Sequence, residues 1–293
     1  MDNFNVYKDI QARTKGEIYI GVVGPVRTGK STFIKRFMEL AVLPAMEDES
    51  LKAVSTDELP QSAGGKTVMT TEPKFIPKEA VQITLGDGIQ AKVRLIDCVG
   101  YMVDGAAGHV ENGEERMVKT PWSEKEIPFT QAAQIGTRKV IGDHSTIGIV
   151  VTTDGSVGEL KRSAYIDAEK QTVDELKKLG KPFILLLNST KPYSDETLKL
   201  AEQLAADYGV TVLPVSCEQL KKEDIFHILE SVLKEFPVTQ LDFHIPKWLE
   251  ILPSTHWLKA QVIQAAKGVV QKVAHMKDVA GELAGQGAEA IRG

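Results

Sequence analysis

The 293-residue sequence predicts a doubly wound α/β fold, a mostly parallel sheet flanked by helices, on three observations. Short apolar runs of strand length alternate with amphipathic runs of helix length. The run 146–151 reads as a buried strand, and 183–188 is continuously apolar, as in strands covered by helices on both faces. A glycine-bearing turn joins the first strand to the first helix, at the carboxyl edge where such sheets hold ligands.

The first strand is expected at 18–23 and the first helix at 31–40. Residues 82–85 and 93–97 read as a strand pair, and the turn Gly86, Asp87, Gly88 between them suits an antiparallel hairpin. A strand at 146–151 is followed by a helix over about 164–178, stopped by Gly180 and Pro182. The strand 183–188, a helix over about 195–208, a strand at 210–215 and a helix at 224–235 complete the alternation. Two segments break it. Residues 100–128 are rich in Gly, Glu and polar residues and far longer than an ordinary connection, which marks a functional or mobile loop. After Pro237 the pattern changes: 239–245 alternates like an edge strand, and 257 to about 281 reads as one amphipathic helix. That helix carries Lys259, Lys267, Lys272 and Lys277. Packing on its own domain is expected of it more than lying on a membrane or against a partner. A boundary near 240 divides a domain over 1–240 from a small α/β or helical appendage over 241–293.

Composition narrows the function classes. The net charge of −5 gives no general pull toward nucleic acid. Cys98 and Cys217 lack metal-ligand spacing and lie beside predicted strands, so they read as buried free thiols in a reducing compartment. The six histidines are scattered and form no ligand set. The first residues lack the basic and apolar regions of a signal peptide, and no apolar run approaches the roughly 20 residues of a membrane span. A cytoplasmic protein is expected.

The chemistry is concentrated in Gly24, Pro25, Val26, Arg27, Thr28, Gly29, Lys30 and Ser31. They fit G-x-x-x-x-G-K-[ST], the phosphate-binding P-loop, with a strand before and a helix after. Backbone N–H groups converge there, and the helix dipole adds positive potential, so the stretch through Thr32 is a phosphate cradle. Lys30 would reach the β- and γ-phosphates and the Ser31 hydroxyl would ligate Mg2+. Asp97 ends a strand and with Gly100 gives D-x-x-G. The carboxylate would hold Mg2+, and Gly100 would let a backbone N–H approach the γ-phosphate. Between the motifs, Thr71, with Thr70 close behind, is placed to ligate the metal and sense the γ-phosphate; the alternative is a turn threonine before Pro73. Arg27 is read either as a positive charge supplied to the phosphates in cis or as a solvent-facing loop residue.

The base-reading position departs from the guanine-specific pattern N-K-x-D. Asn188 is present, but the carboxylate position holds Lys191. A cation cannot accept guanine's N–H donors, so ATP is favoured over GTP. Tyr101 stands where a water-orienting Gln is usual, so the standard hydrolytic arrangement is missing. A slow ATPase, a non-hydrolysing nucleotide-bound scaffold and a GTPase-type switch all remain open. Phosphoryl transfer to a small acceptor is disfavoured, because D-x-x-G and the threonine segment belong to switch machines.

The runs 18–24 and 26–35, Asp57 through Ala63, Met69 through Phe75, Asp97 through Tyr101, Ile135 through Ile141 and His144 through Gly148 resemble the stage IV sporulation protein A family. The likeness covers roughly residues 5–260. The resemblance implies a translation-factor-related P-loop protein that is similar to GTPases but binds and hydrolyses ATP. It also implies polymerisation, driven by ATP, into the basement layer of the spore coat. That assembly coats the forespore surface from the mother-cell cytoplasm, recruited by a small amphipathic membrane-anchoring peptide and joined by other coat proteins. Carried over by motif, Lys30 and Ser31 hold phosphates and Mg2+, Asp97 the metal, and Thr70 or Thr71 the sensing role. Family chains are longer, with a middle and a C-terminal region serving assembly and anchoring; beside them this chain reads as a short or truncated form, with 241–293 a partial middle domain or a helical appendage.

Overall fold

A computed structural model of the protein describes residues 16–60, 73–84, 90–106, 110–111 and 114–279. The chain divides into two compact units, Met1–Val232 and Leu233–Gly293.

The first unit is built on a six-stranded sheet. In chain order its strands are β1 (Glu17–Val23), β2 (Lys74–Thr84), β3 (Gln90–Asp97), β8 (Ile147–Thr153), β9 (Phe183–Asn188) and β10 (Val212–Val215). Their order across the sheet is β10-β9-β8-β1-β3-β2. All pairs are parallel except β2 with β3, the expected hairpin, whose turn lies outside the described residues. Strand β2 starts at Lys74, eight residues before the expected start, because Lys74 to Ile76 pair with Asp97 to Leu95 ahead of a register shift. Helix α1 (Lys30–Phe37) packs on β1 and β3, and α2 (Glu49–Asp57) follows a π turn and a 3-10 turn. The sequence pattern left α2 unmarked, since only Ser55 of it is buried; its start is set by Asp48, which accepts from the N–H groups of Ser50 and Leu51.

The stretch read as one long loop carries two small hairpins, β4 (Val110–Glu111) with β5 (Glu114–Glu115) and β6 (Met117–Thr120) with β7 (Ser123–Pro128). It then enters α3 (Phe129–Lys139), whose buried face is mostly small: Phe129, Ala132, Ala133, Gly136 and Thr137. Such a face gives weak hydrophobic periodicity, which is why the helix escaped the sequence reading. The helices α4 (Ile166–Lys178), α5 (Asp195–Tyr208) and α6 (Lys222–Lys234) fall where alternation places them. On one face of the sheet Val23, Ile96, Val150, Leu185 and Leu187 pack with Val173 and Leu176 of α4 and Leu204 of α5. The alternate residues Ile20 and Val22 are wholly buried on the other face.

The second unit corrects two expectations. Residues 239–245 form no strand; alternation supplies a half-apolar ribbon, but a strand needs a partner edge, and among the described residues this unit offers one isolated bridge, Pro237 to His275. A short helix α7 (Lys247–Ile251) precedes α8 (Trp257–Lys272), which ends well before residue 281. Val273 turns extended because the backbone beyond it is drawn into pairing, Val238 N–H with the Ala274 carbonyl and Met276 N–H with that of Phe236, both at 2.9 Å. Nor does α8 bury its whole apolar face: Trp257 is 64% and Val270 54% exposed. Among the described residues no helix is long and apolar enough to cross a membrane.

Candidate nucleotide-binding site

Strand β1 sits between β3 and β8, so the turn that leaves it opens at the middle of the sheet's carboxyl edge. Gly29 caps α1 in a left-handed conformation (φ 98°), and a Cβ there would lie 2.3 Å from Asn188 Nδ2. Only glycine fits. Arg27 is a non-glycine residue in the left-handed region (φ 64°), in a turn where Thr28 Oγ1 donates to the Pro25 carbonyl at 3.0 Å. Lys30 is buried, its ammonium donating to the carbonyls of Pro25 (2.6 Å) and Gly24 (3.3 Å). Burial lowers its pKa, against the opposing pull of Cys98 and Asp97.

Strand β3 delivers the second motif beside the first. Ser31 Oγ donates to Asp97 Oδ2 at 3.5 Å, while Asp97 Oδ1 is buried with no hydrogen-bond partner. Burial pushes the Asp97 carboxyl up to about 6, with the Lys30 charge opposing the rise. A buried acceptor left open next to a hydroxyl fits a hard cation, so Asp97 and Ser31 would hold Mg2+, whose charge offsets that of phosphates. Gly100 (φ 93°) then crosses so close to the P-loop that a Cβ would stand 2.0 Å from the Gly24 carbonyl and 2.7 Å from Lys30 Nζ.

Two backbone bonds lock the motifs together: Val26 N–H to the Tyr101 carbonyl at 2.9 Å and Tyr101 N–H to the Gly24 carbonyl at 3.3 Å. The Tyr101 side chain turns into an apolar cluster with Val26, Val103, Ala106, Tyr165 and Ala168. Burial lifts its phenol to about 12, as does the Glu175 charge, with Arg138 opposing. In the Gln position there is thus a packing residue, whose phenol keeps its proton at neutral pH. Arg27 is half-buried and near enough to Tyr165 for its charge to act on that hydroxyl.

Asn188 ends β9 and works as a brace. Its Nδ2 donates to the Thr28 carbonyl at 2.9 Å, and its Oδ1 accepts from Cys217 N–H at 3.0 Å. Lys191 is exposed in the loop beyond, its N–H bonded to Ser189 Oγ at 3.0 Å. The turn after β10 that receives Asn188, at Ser216 and Cys217, escaped the sequence reading; its position just past a strand end, level with Asn188, was the available signal. Both thiols are buried and free, and burial raises them to about 11 (Cys98) and about 12 (Cys217). The structure therefore brings together Gly24 to Thr32, Asp97, Gly100 and Asn188, with Lys191 on the rim. Thr70 and Thr71 lie outside the described residues.

A lysine-bearing loop between a central strand and its helix, locked to an aspartate and a glycine from the adjacent strand, defines a P-loop NTPase domain. Residues 1–237 match the family described as Stage IV sporulation protein A, ATPase domain, and 238–292 match its middle domain. The chain belongs to the stage IV sporulation protein A family. It is 49% identical over 279 residues to stage IV sporulation protein A of Bacillus subtilis (strain 168), which covers 95% of this chain and 57% of that protein. The likeness to the Bacillus anthracis protein is the same in identity and extent. With the Clostridioides difficile (strain 630) protein it is 49% over 283 residues, 97% of this chain and 58% of the relative. The chain thus spans somewhat more than half the length of the curated relatives it matches.

Proposed function

We propose that this chain binds ATP with Mg2+ and hydrolyses it slowly, and that the cycle drives its self-assembly into the basement layer of the spore coat. The observation that carries the reading is the open Asp97 Oδ1 beside Ser31, within a P-loop whose lysine is buried among backbone carbonyls. The family's ATPase-domain match supports the nucleotide, and its sporulation name supports the setting. In this reading Lys30 leaves its carbonyl partners to pair with phosphate oxygens, and the Gly100 N–H meets the γ-phosphate. Thr70 or Thr71 senses that phosphate, and Arg27 supplies positive charge in cis. Assembly takes place in the mother-cell cytoplasm at the forespore surface, with a small amphipathic membrane-anchoring peptide and other coat proteins as partners.

A second reading has a specific observation behind it. Tyr101 is committed to packing, so no side chain at that position orients an attacking water. The chain would then be a nucleotide-bound scaffold that does not turn over. Phosphate release from ATP and from GTP, followed by sedimentation, separates the two for wild type and Lys30→Ala. ATP-selective release lost in the variant, with ATP-dependent pelleting, supports the assembly ATPase. Binding without release favours the scaffold, and equal release from GTP contradicts the assignment to ATP.

A further inference from the structure

Strands β9 and β10 pair in parallel with Val215 opposite Asn188. Three residues on from each, in the loops that leave the two strand ends, stand Lys191 and Glu218. The loops that carry them are both pinned by their backbones. On the β9 side, Ser189 N–H donates to the Val215 carbonyl at 2.9 Å, Lys191 N–H to Ser189 Oγ at 3.0 Å and Ser194 N–H to the Lys191 carbonyl at 3.1 Å. On the β10 side, Cys217 N–H donates to Asn188 Oδ1 at 3.0 Å and Gln219 N–H to the Ser216 carbonyl at 3.0 Å. The Arg36 guanidinium of α1 holds the Leu220 carbonyl at 2.7 Å.

The side chains are in the opposite condition. Lys191 and Glu218 are both exposed, and among the described residues neither is committed to an ion pair or a side-chain hydrogen bond. Two fixed loops, each leaving the end of one of two paired strands, thus carry an exposed cation and an exposed anion. They flank Asn188, which is itself tied to the P-loop through Thr28.

We propose that Glu218 reads the base together with Lys191, the carboxylate accepting from the exocyclic amine of adenine and the ammonium donating to its N1. This rests on the ATP reading above and deepens it. The edge of adenine offers a donor next to an acceptor, the complement of a carboxylate next to an ammonium. Guanine reverses both positions: its O6 faces the carboxylate and its N1–H faces the ammonium. Discrimination then comes from two repulsive contacts as well as two attractive ones, which is how small differences between ligands become large differences in affinity.

The test is calorimetric binding of ATP, GTP and purine riboside triphosphate, which lacks the amine, each with Mg2+. The proteins are the full chain, Glu218→Ala, and Lys191→Glu combined with Glu218→Lys. Wild type should prefer ATP to the amine-free analogue by about tenfold, the scale of a hydrogen bond to a charged group. Glu218→Ala should lose that preference while binding the amine-free analogue like wild type, which also shows that the variant is folded. The exchanged pair should favour GTP. Glu218→Ala keeping the wild-type preference would overturn the assignment while leaving ATP binding intact. A wild-type chain that binds no ATP would overturn the nucleotide reading and this pairing with it.

Discussion

In the proposed role Asp97 meets two demands that oppose each other. A dry, open carboxylate suits a cation, and dryness favours the protonated form, hence the rise from 3.8 to about 6. For an acid raised on folding, the native state binds the extra proton. The resulting cost is absent below the unfolded value near 3.8, grows as pH rises toward 6 and is complete above it. In metal-free protein Asp97→Asn should therefore stabilise the fold at pH 8 by on the order of 1–3 kcal/mol, read as a higher thermal midpoint. The gain should vanish near pH 4, while Mg2+-dependent nucleotide binding is lost at every pH. A midpoint gain equal at pH 4 and pH 8 would contradict the account. Gly100 carries the complementary constraint, since a methyl group there meets the Gly24 carbonyl at 2.0 Å. Gly100→Ala should lower nucleotide affinity by more than tenfold, because the lock between the motifs has to open; titration with a fluorescent ATP analogue reads this directly.

At the scale of elements, the carboxyl end of β8 is held by a buried network. Glu169 of α4, fully buried, accepts from Thr152, from both terminal nitrogens of Arg162 at 2.5 and 2.7 Å, and from Tyr208 of α5 at 2.9 Å. Strand, 3-10 turn and two helices are thereby fixed around one charge. Arg162→Ala leaves that charge unpaired, and breaking such a pair costs about 3–5 kcal/mol. The urea midpoint should fall accordingly; a loss under 1 kcal/mol would mean that Thr152 and Tyr208 suffice. The elements also show where patterns are readable. Strands β8 and β9 and helix α5 were legible because burial on both faces, or a full apolar stripe, leaves a strong local signal. Helices α2 and α3 were not: one buries almost nothing and the other buries mostly small residues. The strand expected at 239–245 failed for lack of a partner edge, which no run of its own residues can supply.

At the scale of the whole molecule, every described residue of the site lies within Met1–Val232, and the ATPase-domain match ends at residue 237. A chain cut after Pro237 should bind nucleotide within about threefold of the full chain, as expected when no contact to the ligand is removed. Calorimetry on both proteins checks this, and loss of binding would make the second unit part of the site. On the self-assembly proposed above, pelleting with ATP should be weaker in the cut chain. In the second unit Trp248, Ile251 and Trp257 are all more than half exposed.

The α/β class, the phosphate-loop motif and the D-x-x-G run at Asp97 were legible in the amino-acid sequence, because each is written in contiguous residues whose chemistry acts locally. The tertiary structure alone decided what those residues do for one another. Asn188 stands 160 positions from Thr28, and only the parallel sheet turns it into a brace under the P-loop. Tyr101 could be read as a missing glutamine, but that it packs under Val26 follows from the locked backbones. Glu218 matches no motif, and its proposed part in base reading rests on the register that pairs Val215 with Asn188. Register and burial depend on which segments become neighbours, and that is settled by packing across the whole sheet rather than within any window of the chain.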